Sequence, residues 1–138
     1  MATSINDCEL ITINKITNRA GNIAIVQSDQ LLPFSIKRIY YLYDIPAGKN
    51  RGGHAHRELK QLLVAASGSF QVELFDGQER KKVYLNSPDI GLLIVPGIWR
   101  ELTDFSSGSV CLVMASELYS ESDYFYDMNS FLNFKLDA

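Results

Sequence analysis

Ser69-Phe-Gln-Val-Glu-Leu-Phe75 decides the fold. Phe70, Val72 and Leu74 alternate with Gln71 and Glu73, the period of two that sends one set of side chains to a buried sheet face and the other toward water. Asp76-Gly77 follows as a hairpin signal, and Lys82–Leu85 pairs back from it. Upstream, Gly68 breaks the apolar run Gln61–Ala66. Downstream come the turn Asn86-Ser-Pro-Asp89, a buried strand at Gly91–Val95, the break Pro96-Gly97 and a late strand at Val110–Ala115. Toward the start, Ile11–Ile16 alternates weakly. Gly21–Gln27 and Ser35–Tyr43 are rich in β-branched and aromatic residues, and Pro46–Gly53 reads as a loop. Strands recurring about every ten residues predict an all-β sandwich or barrel. The tail differs: Tyr124, Met128, Phe131, Leu132 and Leu136 are spaced for an amphipathic helix over Glu121–Leu136, with Ser120 or Ser122 as its cap.

The 138 residues suit one domain, expected over 1–138, with room for a sizeable core. Apolar residues make up 46% and charged residues 21%, a globular balance. A net charge of −3 offers no basic field for nucleic acid or an anionic membrane. An anionic substrate then has to be met by a few placed arginines. No apolar run approaches the length of a membrane span, and Met1–Leu10 does not read as a signal peptide. Cys8, in the N-terminal stretch, and Cys111, in an apolar strand, match no metal or redox spacing, which fits reduced thiols in a cytoplasmic protein.

The two histidines of the chain stand in Arg51-Gly-Gly-His-Ala-His56. On a strand, positions i and i+2 share a face, so His54 and His56 aim at one spot. Such a pair opens the metal site of many small cupins, which continue it with a carboxylate, a Gly and a third His. Here Gly68 is present, Gln61 stands at the carboxylate position and Arg100 falls near the third-His position. Amide and guanidinium are poor partners for a metal, so no metal or other cofactor is expected. Free imidazole, with a pKa of about 6.5, suits proton abstraction beside a carbonyl. In Ser35–Tyr43, Arg38 and Tyr40 share one strand face, where an arginine calls for an anion. Tyr40 is a candidate acid or hydrogen-bond donor. Trp99 and Arg100 follow the Pro96-Gly97 turn expected to face the histidines.

Across Ile36–Tyr43, Arg51–His56, Gly91–Trp99 and the segment starting at Asp104, the chain closely resembles the dTDP-4-keto-6-deoxyglucose 3,4-ketoisomerases, small cupins of dTDP-sugar pathways. The likeness runs from about Ile13 to Tyr124. It implies a metal-independent double-stranded β-helix, or jelly roll, forming a homodimer that exchanges an N-terminal strand. It implies a shift of the ketone from C4 to C3 of a dTDP-linked hexose. The product would go to a pyridoxal-phosphate-dependent aminotransferase and on into a glycan or antibiotic sugar. By this resemblance His54 is the base for the C3 proton, and His56 a second proton carrier or a polariser of the sugar oxygens. Tyr40 completes the catalytic set, and Arg38, Arg51, Gln61, Trp99 and Arg100 border the substrate.

Two departures stand out: some members carry His at the position of Arg100, and some carry Arg where this chain has Ala20, beside Arg19. Arg100 cannot act as an acid at neutral pH, which favours a gluco over a galacto product. Three rivals remain open: a dTDP-4-ketosugar 3,5-epimerase, with Asp104 or Asp44 completing a His–Asp pair; a non-catalytic sugar-nucleotide-binding cupin; and a metal-dependent cupin oxygenase.

Overall fold

The structure is a computed structural model describing residues 3–137; Met1, Ala2 and Ala138 of the expected domain lie outside the described residues. The strands form two five-stranded antiparallel sheets. The first orders β1 (Glu9–Thr12), β9 (Ile90–Ile94), β6 (Gln61–Ser67), β11 (Val110–Ala115) and β4 (Arg38–Leu42). The second orders β12 (Tyr124–Phe125), β5 (Arg51–His56), β10 (Trp99–Thr103), β7 (Phe70–Phe75) and β8 (Arg80–Leu85). β2 (Asn14–Asn18) and β3 (Gly21–Ile25) make a separate hairpin. This is the expected jelly roll.

The alternation around Phe70 positions the core. Phe70, Val72 and Leu74 of β7 meet Leu63 and Ala65 of β6, Ile94 of β9 and Val113 of β11 between the sheets. Each such apolar side chain contributes roughly 1.5–3 kcal/mol on burial. The Asp76-Gly77 turn joins β7 to β8 as expected. Asp76 Oδ1 accepts from the backbone N–H of Gln78 and Glu79, while Oδ2 accepts from Ile5 N–H. One carboxylate therefore shapes the hairpin and anchors the N-terminal segment. Cys8, expected in a loose terminus, is buried in the main core cluster through that anchoring.

Three boundaries differ from the sequence reading. Ile11–Ile16 is two strands, parted where Ile13 turns into a buried cluster under the first sheet. The supposed loop Pro46–Gly53 ends early, because Arg51 to Gly53 already pair in β5. The helix α1 spans Met128–Leu136, not Glu121–Leu136, and its cap is Asp127, whose side chain accepts from Ser130 N–H. Residues 121–125 instead form a 3-10 turn and β12, which pairs with β5 at Ala55 and His56. Backbone pairing to an open sheet edge outweighs a weak helical pattern there. Helix α1 ends with Lys135, whose Nζ donates to the carbonyls of Thr3 and Gly97.

Gly68 ends β6 with φ 69°. A Cβ there would lie 2.8 Å from Ser109 Cα and collide with Ser106 Oγ. Gly68→Ala should lower the unfolding free energy by about 1–3 kcal/mol, read as an earlier midpoint in urea. An unchanged midpoint would contradict this packing.

Candidate active site

β5 brings the histidines inward at its end. Their Nε2 atoms lie 3.1 Å apart. His56 is 0% exposed, and its Nδ1 sits 3.2 Å from Asp123 Oδ2. Asp123 is itself held in place, since its Oδ1 accepts from Glu58 N–H at 2.8 Å. His56 thus sits behind His54, with both ring nitrogens engaged by protein. Tyr124 lies over the pair, its ring centroid 5.2 Å from that of His54 and 4.3 Å from that of His56. Tyr126 stacks on Tyr124 at 5.3 Å, and Tyr119 packs against Tyr124 from the other side.

Arg51 reaches the same face through a bulge. His54 pairs with Arg100 and Arg51 with Leu102, so β5 spends one more residue than β10 between these pairs. The extra residue sits at Gly52, with φ 78°. Paired residues share a face, so Arg51 joins the inward set at the exposed rim. There it borders a cavity of about 370 Å³ with Tyr41, Tyr43 and Lys49.

The remaining arginines differ from one another. Arg100 is 1% exposed; its Nε and Nη2 donate to the Ile98 carbonyl and its Nη1 donates to Gln61 Oε1 at 2.5 Å. Gln61 Nε2 in turn donates to the Tyr40 hydroxyl at 2.9 Å. The chain Arg100–Gln61–Tyr40 fixes the amide and directs the phenol. Arg100 and Gln61, expected to border the substrate, are joined here by hydrogen bonds that run through to Tyr40. Arg38 shares the inward face of β4 with Tyr40, its guanidinium 5.2 Å from that ring. Its Nε and Nη2 are buried without a partner, a cost that an anionic ligand would remove. Trp99 is corrected: it neighbours Arg100 on β10 and so faces the other way, packed on Phe131 of α1.

Electrostatics favour neutral imidazoles. Burial and then the Arg100 cation push His54 down to about 3, and the same two causes, with His54 and Arg38, push His56 lower still. Burial raises Tyr40, keeping it protonated. Burial lowers Arg100 to about 10, so it keeps its charge at neutral pH. Among the described residues no group of three or more His, Cys, Asp or Glu side chains is arranged to hold a metal ion. Asp123, Tyr124 and Tyr126 escaped the sequence reading because they were assigned to a helix.

A profile of the FdtA family, described as WxcM-like, C-terminal, matches residues 6–136. The chain belongs to that family. It is 40% identical over 123 residues to a TDP-4-oxo-6-deoxy-alpha-D-glucose-3,4-oxoisomerase of Aneurinibacillus thermoaerophilus, covering 89% of this chain and 88% of that one. A sugar 3,4-ketoisomerase of Thermoanaerobacterium thermosaccharolyticum, solved with TDP, superposes with TM-score 0.94 at 34% identity, over 97% and 98% of the two chains. A TDP-quinovose 3,4-ketoisomerase of Campylobacter jejuni gives TM-score 0.89 at 38% identity, over 92% and 98%. A 4-keto-6-deoxy sugar epimerase of Streptomyces spheroides shares the fold at 13% identity and TM-score 0.72, over 85% of this chain and 67% of the epimerase chain.

The depressed imidazole carries a stability signature. Unfolded histidine takes a proton near 6.5, whereas folded His54 does so only near 3. The unfolded state therefore binds more protons between these values, and stability falls as pH drops from about 7 toward 4. Urea midpoints should decline more steeply over that range in the parent than in His54→Asn. Equal slopes would mean that His54 is solvated.

Proposed function

We propose that the chain is a sugar-nucleotide 3,4-ketoisomerase that converts dTDP-4-keto-6-deoxyglucose to its 3-keto isomer. The observation that carries this reading is one interior lined by a neutral imidazole and a phenol whose own proton is unspent. Gln61 donates to the Tyr40 oxygen, so the Tyr40 hydrogen is left for a ligand. The oxoisomerase relative, identical at 40%, supports the same reaction.

The C4 ketone acidifies the C3 hydrogen, and His54 removes it. The electron pair moves into a C3–C4 double bond, and O4 becomes an enediolate oxygen beside buried donors. Tyr40 gives a proton to C4, and the O3 hydrogen passes to O4 as the C3 ketone forms; proton exchange with solvent then returns His54 to its neutral form and the Tyr40 phenolate to the phenol. Arg38 holds an anionic oxygen, either of the diphosphate or of the enediolate, and Arg51 reinforces it at the rim. Binding of the nucleotide diphosphate positions the sugar.

A gluco product fits the placement of the two groups. In a gluco hexose the hydrogens on C3 and C4 lie on opposite faces of the ring, so one group removes the first and another supplies the second. His54 on β5 and Tyr40 on β4 belong to facing sheets, which fits this division. Arg100 is committed to Ile98 and Gln61 and supplies no proton. A Campylobacter jejuni relative is named a TDP-quinovose 3,4-ketoisomerase.

The His–Asp pair of an epimerase does occur here, but between His56 and Asp123. Asp44 borders the rim cavity and Asp104 follows β10. Identity favours the isomerase over that rival. We also read the chain as a cytoplasmic homodimer of one 1–138 domain, feeding an aminotransferase and a glycan pathway. Exposed Leu10, Ile16 and Ile23 support pairing through the N-terminal strands, as does a β2–β3 hairpin bonded to neither large sheet. No described helix is long and apolar enough to cross a membrane.

Incubation with dTDP-4-keto-6-deoxyglucose in D2O should give a gluco-configured 3-keto sugar deuterated at C4, read by NMR, with or without chelator. Label at C5 would indicate the epimerase, and a galacto product would sink the two-faced transfer. His54→Asn should lose about 10³-fold in turnover while still binding dTDP; parent-level turnover would remove His54 as base. Ile16→Asp with Ile23→Asp should shift the chain from dimer to monomer in light scattering. A parent that is already monomeric would refute the exchange.

A further inference from the structure

The base of the reaction has two ring nitrogens, and the wall behind it decides which one is free. Asp123 Oδ2 faces His56 Nδ1 at 3.2 Å, and its Oδ1 already accepts from Glu58 N–H. A carboxylate only accepts hydrogen bonds, so His56 carries its hydrogen on Nδ1. A neutral His56 then has a bare Nε2. That nitrogen lies 3.1 Å from His54 Nε2, so the hydrogen between the rings belongs to His54. A neutral His54 with hydrogen on Nε2 has its lone pair on Nδ1. A Cβ built at Gly52 would lie 3.7 Å from His54 Cε1 and 3.9 Å from Nδ1, in van der Waals contact with that edge of the ring. A glycine at the bulge adds no side chain against that edge.

We propose that Asp123, acting through His56, is a positioning residue that locks His54 in the Nε2–H tautomer and makes Nδ1 the atom that takes the C3 proton. The inference rests on the ketoisomerase reading only for the identity of that proton. The balance is simple. The C3–H electron pair stays with the sugar, and the proton adds to Nδ1. The imidazolium charge is spread along Nε2–H···Nε2 and Nδ1–H···Oδ2 toward the carboxylate. Among the described residues Asp123 is the carboxylate that pairs with these rings. The other groups near the rings are Arg100 on β10, Arg38 and Tyr40 on β4, and Tyr124 and Tyr126 beside β5. Two of these are cations that oppose a charged imidazole, so Asp123 supplies the compensation. The sequence marks no such role, since Asp123 lies far from His56 along the chain and in a segment with helical spacing.

The direct test is nitrogen-15 NMR of the histidine rings in the parent protein. Hydrogen on Nε2 of His54 and on Nδ1 of His56 is expected; hydrogen on Nδ1 of His54 would overturn the proposal. Asp123→Asn should lower kcat about 100-fold or more with KM within about threefold, in line with the wrong-tautomer effect of amides in Asp–His pairs. Asp123→Glu should recover at least about tenfold of that loss. An Asn variant within about threefold of parental kcat would overturn the role. If the parent fails to turn over dTDP-4-keto-6-deoxyglucose, the function fails, while the ring hydrogens still answer for the tautomer.

Discussion

A buried guanidinium organises this molecule. Arg100 is pinned between the Ile98 carbonyl and Gln61, with no carboxylate among its hydrogen-bond partners. A fixed positive charge in a medium of low polarity acts over several ångströms. It discourages protonation of both imidazoles, one of which it meets directly across the β5–β10 register. Through Gln61 it also orders the hydrogen bonds of Tyr40. Burial and the Arg100 charge keep His54 neutral, while burial keeps the Tyr40 phenol protonated against that charge. That arrangement has a cost, because a lone buried cation is poorly solvated. The sheet meets part of it with backbone oxygen, in a position the Pro96-Gly97 turn provides.

Strand alternation carried most of the legible information. Phe70, Val72 and Leu74 announced a sheet face, and the His-Ala-His spacing announced two rings on one side of β5. Arg38 was legible as a misfit among inward positions, and it has two unpartnered nitrogens there. Each of these is a local rule that neighbours in sequence can express. Trp99 shows the limit of the same rule. Its adjacency to Arg100 suggested a shared role, yet adjacent strand residues face apart, and Trp99 covers α1 instead.

The segment from Tyr119 to Tyr126 was illegible for a different reason. Its residues act through contacts made across the chain, with Asp123 on His56 and Tyr124 over both rings. Their spacing imitates a helix, and nothing nearby in sequence tells that β5 has an open edge for them. Arg51 is an intermediate case. Simple alternation would turn it away from His54, and the bulge at Gly52 turns it back. A Gly-Gly pair hints at irregular backbone but does not say which neighbour gains from it.

The ammonium of Lys135 grips the first described residue and the carbonyl of Gly97, while Thr3 Oγ1 donates to Pro96. Thr3 and the last turn of α1 are therefore both moored to the bend whose next carbonyl, Ile98, holds the central guanidinium. Removing the Lys135 ammonium would release Thr3 and the Gly97 carbonyl together, one residue from the carbonyl that the buried guanidinium uses.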